Sequence, residues 1–291
     1  METLLPPDAS PHSQSLFEYA LILISACPAA LYDEAAVSGS VARGRADQFS
    51  DCEIPFWMDT LQNAIIYKTW LESFSQGALL MRESTEADKA LYLEYKMDGV
   101  KVCTIWQTWG RMNEIFTALD ANQLPHDPSG PWVISHLIPI GSAPRLQQLQ
   151  TRVQNYPDTL RRSIIEKELA FWRWKVGVAD IFFAEAAAHR HQLYDLRTRQ
   201  MTNIRSILQI LYAYNRQWIP DAKWYNEGIQ AVTQKPPHLS QTIDRLLTED
   251  DPHIILPTMR ELMVGTLHVI AEEFAVDDLI TALEGYTFID L

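Results

Sequence analysis

Apolar and polar positions repeat with two different periods along this chain. Over residues 13–26 the apolar positions recur every three or four residues, which predicts a helix with one dry face. Residues 32–38 form a short strand candidate that ends in the turn Ser38-Gly39-Ser40, and residues 41–45 look like the first turn of a helix. In Ser50-Asp51-Cys52-Glu53-Ile54 polar and apolar residues alternate, the mark of a strand with one wet and one dry face. Helical spacing returns over 61–76. Residues 90–97 and 100–108 are strand-like runs joined at Asp98-Gly99, a strong short-range hairpin signal.

Beyond Arg111 the strand-like alternation gives way. Residues 112–120 read as a helix and 124–132 as a loop rich in Pro, Gly and Asp, while 133–145 fit neither period. Helical spacing then dominates: 158–185, 194–214, 224–233, 239–247, 257–274 and 277–284, punctuated by Pro220, Pro236-Pro237 and Pro252. The expectation is an α+β protein, with an N-terminal mixed β-sheet flanked by helices and a C-terminal α-helical bundle. The corresponding domains are an N-terminal domain over 1–120, a connecting segment over 121–156, and a helical domain over 157–291.

Composition narrows the partners. With 24 basic against 37 acidic residues, the formal charge of −13 repels phosphate backbones and argues against nucleic acid, while attracting a cationic small substrate. Cys27, Cys52 and Cys103 are too widely spaced for a disulfide framework or a zinc pattern and read as buried thiols of a reducing compartment. The apolar stretch 16–31 carries Glu18, lacks a basic flank and breaks at Pro28, so it reads as a buried helix rather than a signal peptide or membrane span. The expected setting is cytoplasmic, with no membrane partner; a homo-oligomer stays open.

The chemistry concentrates in residues 37–53. Gly39 lets the backbone approach a ligand closely, and the amides that open the following turn, with the Ser40 hydroxyl, suit phosphate oxygens. Asp51 and Glu53 are two residues apart on a strand, so they share a face. Two adjacent carboxylates call for a cation, and hard oxygen donors suit Mg²⁺, which keeps waters and substrate phosphates in its shell.

The pattern Gly-Ser-x-x-x-Gly followed by Ser-Asp-x-Glu resembles the DNA polymerase β-like nucleotidyltransferase superfamily, and most of all its kanamycin nucleotidyltransferase type. Two later stretches, Asn155-Tyr156-Pro157 and Tyr214-Asn215-Arg216-Gln217-Trp218-Ile219-Pro220-Asp221-Ala222-Lys223-Trp224, resemble a poorly characterised bacterial nucleotidyltransferase-like family. The resemblance implies a nucleoside triphosphate, ATP above others, bound through Gly39 and Ser40, with Arg43 as a further candidate of the same motif. It implies Mg²⁺ held by Asp51 and Glu53, and a small hydroxyl-bearing acceptor, aminoglycoside-like, that attacks the α-phosphorus and expels pyrophosphate. A helical-domain glutamate, Glu166 or Glu168, would be the general base, and Lys223 would reach the triphosphate as a point charge.

At one position the chain departs from the pattern. The superfamily usually carries a third carboxylate on a later strand, where this chain has Cys103 or, one residue on, Thr104; a thiol is a poor Mg²⁺ ligand. Either the protein binds nucleotide without transferring it, or Glu94 supplies the carboxylate. With Asp98-Gly99 as a two-residue loop, Met97 pairs with Val100 and Glu94 falls opposite Cys103. Asp180 and Glu185 are weaker candidates in the helical half. Phe171, Trp172 and Trp174 read as core, with base stacking as the alternative. His189 and His191 lack partner ligands, and the run Glu249-Asp250-Asp251 reads as a solvated loop.

Overall fold

The computed structural model describes residues 4–75, 77–174 and 177–289, with side chains omitted at 177–179. Contacts divide the chain into two compact units, Met1–Ala121 with Pro125–Asn155, and Asn122–Leu124 with Tyr156–Leu291. Residues 125–155, expected as a connection, therefore belong to the first unit.

In the first unit the elements run α1 (Pro11–Ala26), β1 (Glu34–Val37), α2 (Gly39–Ala42), β2 (Cys52–Met58), α3 (Ala64–Phe74), β3 (Leu79–Glu86), β4 (Ala90–Met97), β5 (Val100–Thr108), α4 (Trp109–Asp120), α5 (Gly130–Ser135), β6 (Ile138–Ile140) and α6 (Pro144–Gln154). The described strands make one mixed sheet in the order β3-β4-β5-β2-β1-β6, in which β2 and β5 are parallel and the other neighbours antiparallel. The α+β expectation holds.

One sheet face is dry. Ile54 and Phe56 of β2, Val102 and Trp106 of β5, and Leu91, Leu93, Tyr95 and Met97 of β4 alternate onto it and pack with Phe17, Leu23 and Ile24 of α1 and Tyr67 and Leu71 of α3. Trp106 is sandwiched between Phe56 and Tyr67, at ring centroid distances of 4.3 and 4.2 Å. Residues 16–26 of the apolar stretch thus pack against the sheet as part of α1, and among the described residues no helix is long and apolar enough to cross a membrane.

Two devices fold residues outside the periodic pattern into this unit. Glu34, buried on β1, accepts hydrogen bonds of 2.9 Å from the backbone N–H groups of both Arg145 and Leu146. Those amides open α6 and have no partner inside it, so a remote carboxylate caps the helix. The strand β3, absent from the periodic reading, is an edge strand exposed along most of its length.

The second unit is helical: α7 (Asp158–Trp174), α8 (Gly177–His189), α9 (Leu193–Tyr214), α10 (Tyr225–Ala231), α11 (Leu239–Thr248), α12 (Pro252–Ile270) and α13 (Asp277–Glu284). The helix expected over 158–185 is described as α7 and α8, with 175–176 outside the described residues. The helix expected from 257 begins five residues earlier. Asp251 accepts from the His253 N–H at 2.9 Å as its N-cap, Pro252 follows at the first position, and Pro257 lies inside it. A proline tolerated at N1 needs no N–H, whereas Pro257 leaves the His253 carbonyl without its usual donor. Asp251 is therefore a cap rather than part of a merely solvated run, and Asp250 pairs with Arg197 at 2.6 Å.

Candidate active site

The loop between β1 and β2 is built to deliver two acids to one place. Ser13 Oγ accepts from the Ala46 N–H at 2.8 Å and the Ser10 hydroxyl donates to the Ala46 carbonyl at 2.6 Å, which fixes the loop to the start of α1. Asp47 then closes a tight turn, accepting from the Phe49 N–H at 2.9 Å and the Ser50 hydroxyl at 3.0 Å. Asp51 follows immediately and Glu53 lies one residue inside β2.

Gly39 sits against this acid. Its backbone has φ +63°, in the left-handed region that costs L side chains energy, and a β-carbon placed on it would lie 2.8 Å from Glu53 Oε2 and 3.6 Å from Glu53 Cβ. The Ser38 N–H also donates to the Glu53 carbonyl at 3.0 Å. The glycine turn and the acid strand are in contact. Ser40, half-buried, follows Gly39 in α2, a single turn of four residues. Arg43 is buried, with its guanidinium 4.3 Å from the centre of the Trp132 ring.

Across the sheet, one row of side chains runs through four strands. Glu53 of β2 is the register partner of Cys103 of β5, Cys103 of Glu94 of β4, and Glu94 of Arg82 of β3. Register partners share a face, so this row lies on the side opposite the dry core, with successive strands about 4.8 Å apart. The two-residue loop is also as expected: Met97 pairs with Val100, and Asp98 and Gly99 have φ of 51° and 82°.

The acids bear on both neighbouring thiols. The Cys103 thiol is pushed up to about 12, first by burial and then by the charges of Glu53, Asp51 and Glu94. The Cys52 thiol is also pushed up to about 12, by burial and then by Asp51, Cys103 and Glu53. A cation answers these charges. Lys101 Nζ lies 3.5 Å from Asp51 Oδ2 and 3.5 Å from Glu94 Oε2, while Arg82 Nη1 lies 3.4 Å from Glu94 Oε1. Burial works against the Lys101 ammonium, yet Asp51 and Glu94 outweigh it and hold its pKa above the ordinary value. Lys101 was not among the sequence candidates; its place two residues before Cys103 on a strand, hence on the same face, was the available signal.

Among the described residues no group of three or more His, Cys, Asp and Glu side chains is arranged to hold a metal ion. A closed cage of protein ligands is thus not what these residues build. A Mg²⁺ carried on a triphosphate needs only one or two carboxylates beside the phosphate oxygens, and Asp51 and Glu53 are hard donors of that kind. The donor chemistry fits an ion that arrives with its nucleotide.

The remaining candidates lie in the helical unit. Glu166 is exposed on α7, and Glu168, two residues on and so on a different face, accepts from the Ser206 hydroxyl, which in turn accepts from Trp172 Nε1 at 2.6 Å. Lys223 is exposed on a short 3₁₀ turn capped by Asp221. Asp180 is buried, pairs with Arg199 and accepts from Asn203 Nδ2 at 2.8 Å; with Phe171, Phe183 and Arg199 it lines a cleft of about 380 Å³. Glu185 is buried and accepts from the Tyr286 hydroxyl and the Ile289 N–H. Trp172 is core as expected, whereas Trp174 is largely exposed. His189 closes α8 and His191 follows it with φ 54°.

Residues 138–225 match a family model described as "Domain of unknown function (DUF4037)". The match runs from β6 to the first residue of α10 and includes both later stretches quoted above. The chain is similar to a solved nucleotidyltransferase-like protein from Exiguobacterium sibiricum, with 13% identity over 76% of this chain and 86% of that one, at a TM-score of 0.36. No curated protein matches.

Proposed function

We propose that the first unit binds a nucleoside triphosphate, ATP above others, and that the protein transfers its nucleoside monophosphate to a hydroxyl of a small molecule in the manner of the kanamycin nucleotidyltransferase type. The observation that carries this reading is the packing of Gly39 against Glu53, with Asp51 immediately before the same strand. A turn lacking a side chain lets its backbone lie directly against one of the two carboxylates, so that a ligand bound by the turn's amides would meet the acid pair.

In this reading Gly39 and Ser40 take the triphosphate, and Asp51 and Glu53 hold its Mg²⁺. The ion supplies charge stabilisation to the transferring phosphoryl group. The acceptor hydroxyl is oriented in line with the α-phosphorus; the new O–P bond forms as the bond to pyrophosphate breaks, and the hydroxyl proton passes to a carboxylate. Glu166 and Glu168 are the proposed bases from the helical unit and Glu94 the proposed third carboxylate, with Arg43 and Lys223 as cationic partners of the nucleotide. The charge of −13 favours a cationic, aminoglycoside-like acceptor.

A second reading has its own observation. Cys103 stands where a third acid is usual, and both carboxylate oxygens of Glu94 are engaged by cations. This favours a protein that binds nucleotide without transfer. Pyrophosphate release from ATP and Mg²⁺ over a panel of aminoglycosides and other polyols separates the two. Acceptor-dependent release that Asp51→Asn abolishes supports transfer; ATP binding with no release on any acceptor supports the binding protein.

A further inference from the structure

Lys101 is the cation that the site already contains. Its ammonium stands between Asp51 of the acid motif and Glu94 of the neighbouring strand, at 3.5 Å from each. Those separations exceed the 2.7–3.2 Å of a well-formed N–H···O bond, so the contacts are ion pairs rather than tight hydrogen bonds. The Lys101 side chain is about two-fifths exposed, and its flexible four-carbon stem leaves the ammonium free to move. A divalent ion approaching Asp51 meets this positive charge and must displace it.

We propose that Lys101 is a resident counter-ion that competes with divalent metal for the acid pair, so that metal enters tightly only together with a triphosphate. The phosphate oxygens offer the ammonium a new anionic partner, and Asp51 is released to the metal in the same event. Lys101 is thus a positioning residue that couples metal loading to nucleotide loading; this rests on the reading of Asp51 and Glu53 as metal ligands. The arrangement accounts for a site whose acids gather on one sheet face without forming, among the described residues, a metal cage of their own.

The test uses the full chain and Mn²⁺ as the probe, followed by the relaxation of water protons, with and without a non-hydrolysable ATP analogue. The wild type is expected to bind free Mn²⁺ weakly and to bind it at least tenfold more tightly when the analogue is present. Lys101→Met should bind free Mn²⁺ at least fivefold more tightly than wild type and lose most of the gain from the analogue. Lys101→Arg, which keeps the charge, should behave as wild type. Equal free Mn²⁺ affinity in wild type and Lys101→Met, with both losing it in Asp51→Asn, overturns the role of Lys101 and leaves the acid-pair reading standing. Mn²⁺ binding that is absent throughout, or indifferent to Asp51→Asn, overturns both.

Discussion

Gly39 and Glu53 cannot both keep their places if the glycine acquires a side chain: the added β-carbon would come within 2.8 Å of Oε2. Gly39→Ala should therefore cost both the left-handed backbone strain, about 1–2 kcal/mol, and the displacement of a carboxylate. Gly141→Ala is the matched control, because Gly141 has φ +71° with nothing within 4 Å of the position its β-carbon would take. Urea unfolding should show a larger loss of stability in Gly39→Ala than in Gly141→Ala, which carries the backbone strain alone. Only Gly39→Ala should also lose ATP affinity, by tenfold or more in a calorimetric titration.

The cap on α6 makes a second prediction. Glu34→Ala leaves two N–H groups, the part-buried one of Arg145 and the buried one of Leu146, without an acceptor. The expected loss is about 2–4 kcal/mol of unfolding free energy, since each orphaned group costs about 1–3 kcal/mol. Glu34→Gln retains one acceptor oxygen and should lose less. Hydrogen exchange in 144–154 should speed up in the alanine variant before the rest of the sheet is affected.

The hairpin and the acid motif were legible because their signals are local. Asp98-Gly99 selects a two-residue loop by backbone sterics alone, and the register that puts Glu94 opposite Cys103 follows by counting. Contact between Gly39 and Glu53 likewise follows from a short strand–turn–strand segment. What escaped was set by distant partners. β3 carries Arg82, Glu83 and Glu86 and has no dry face, as charged edge strands do, so periodicity does not mark it. Helix α6 buries only Leu146 and Val153 and takes its cap from a residue more than a hundred positions away. The N-terminus of α12 depended on choosing between Pro252 and Pro257, and Asp251 before Pro252 was the cue that decides it. Lys101 became visible only once its ion pairs were placed.

The three thiols predict an alkaline limit. Burial pushes each of Cys27, Cys52 and Cys103 up to about 12 from an ordinary 9.0. Between those values the unfolded chain has released protons that the folded chain still holds, so stability present below about pH 9 is lost progressively as pH rises toward 12. Native protein at pH 8 should resist iodoacetamide at all three cysteines, by mass spectrometry, and react at all three in denaturant.

In acid the helical unit carries the liability. Arg161, almost fully buried, pairs with Asp158 at 2.8 Å and with Glu273 at 2.7 Å, and these bonds hold both carboxyls below their ordinary values of 3.8 and 4.5. Lowered carboxyls stabilise the fold above those values, and that contribution is lost as pH falls below them. Thermal unfolding followed by helix signal should show a midpoint that drops from pH 5 to 3, and Arg161→Met should flatten that dependence while lowering the midpoint at pH 7.

The central claim is that Asp51 and Glu53 hold the metal of a bound triphosphate beside the Gly39 turn. Isothermal titration of ATP with Mg²⁺ into wild type and into the Asp51→Asn, Glu53→Gln double variant tests it most directly. The account predicts saturable binding by the wild type that weakens at least tenfold in a double variant with unchanged thermal stability. Equal affinity in the two proteins would contradict it.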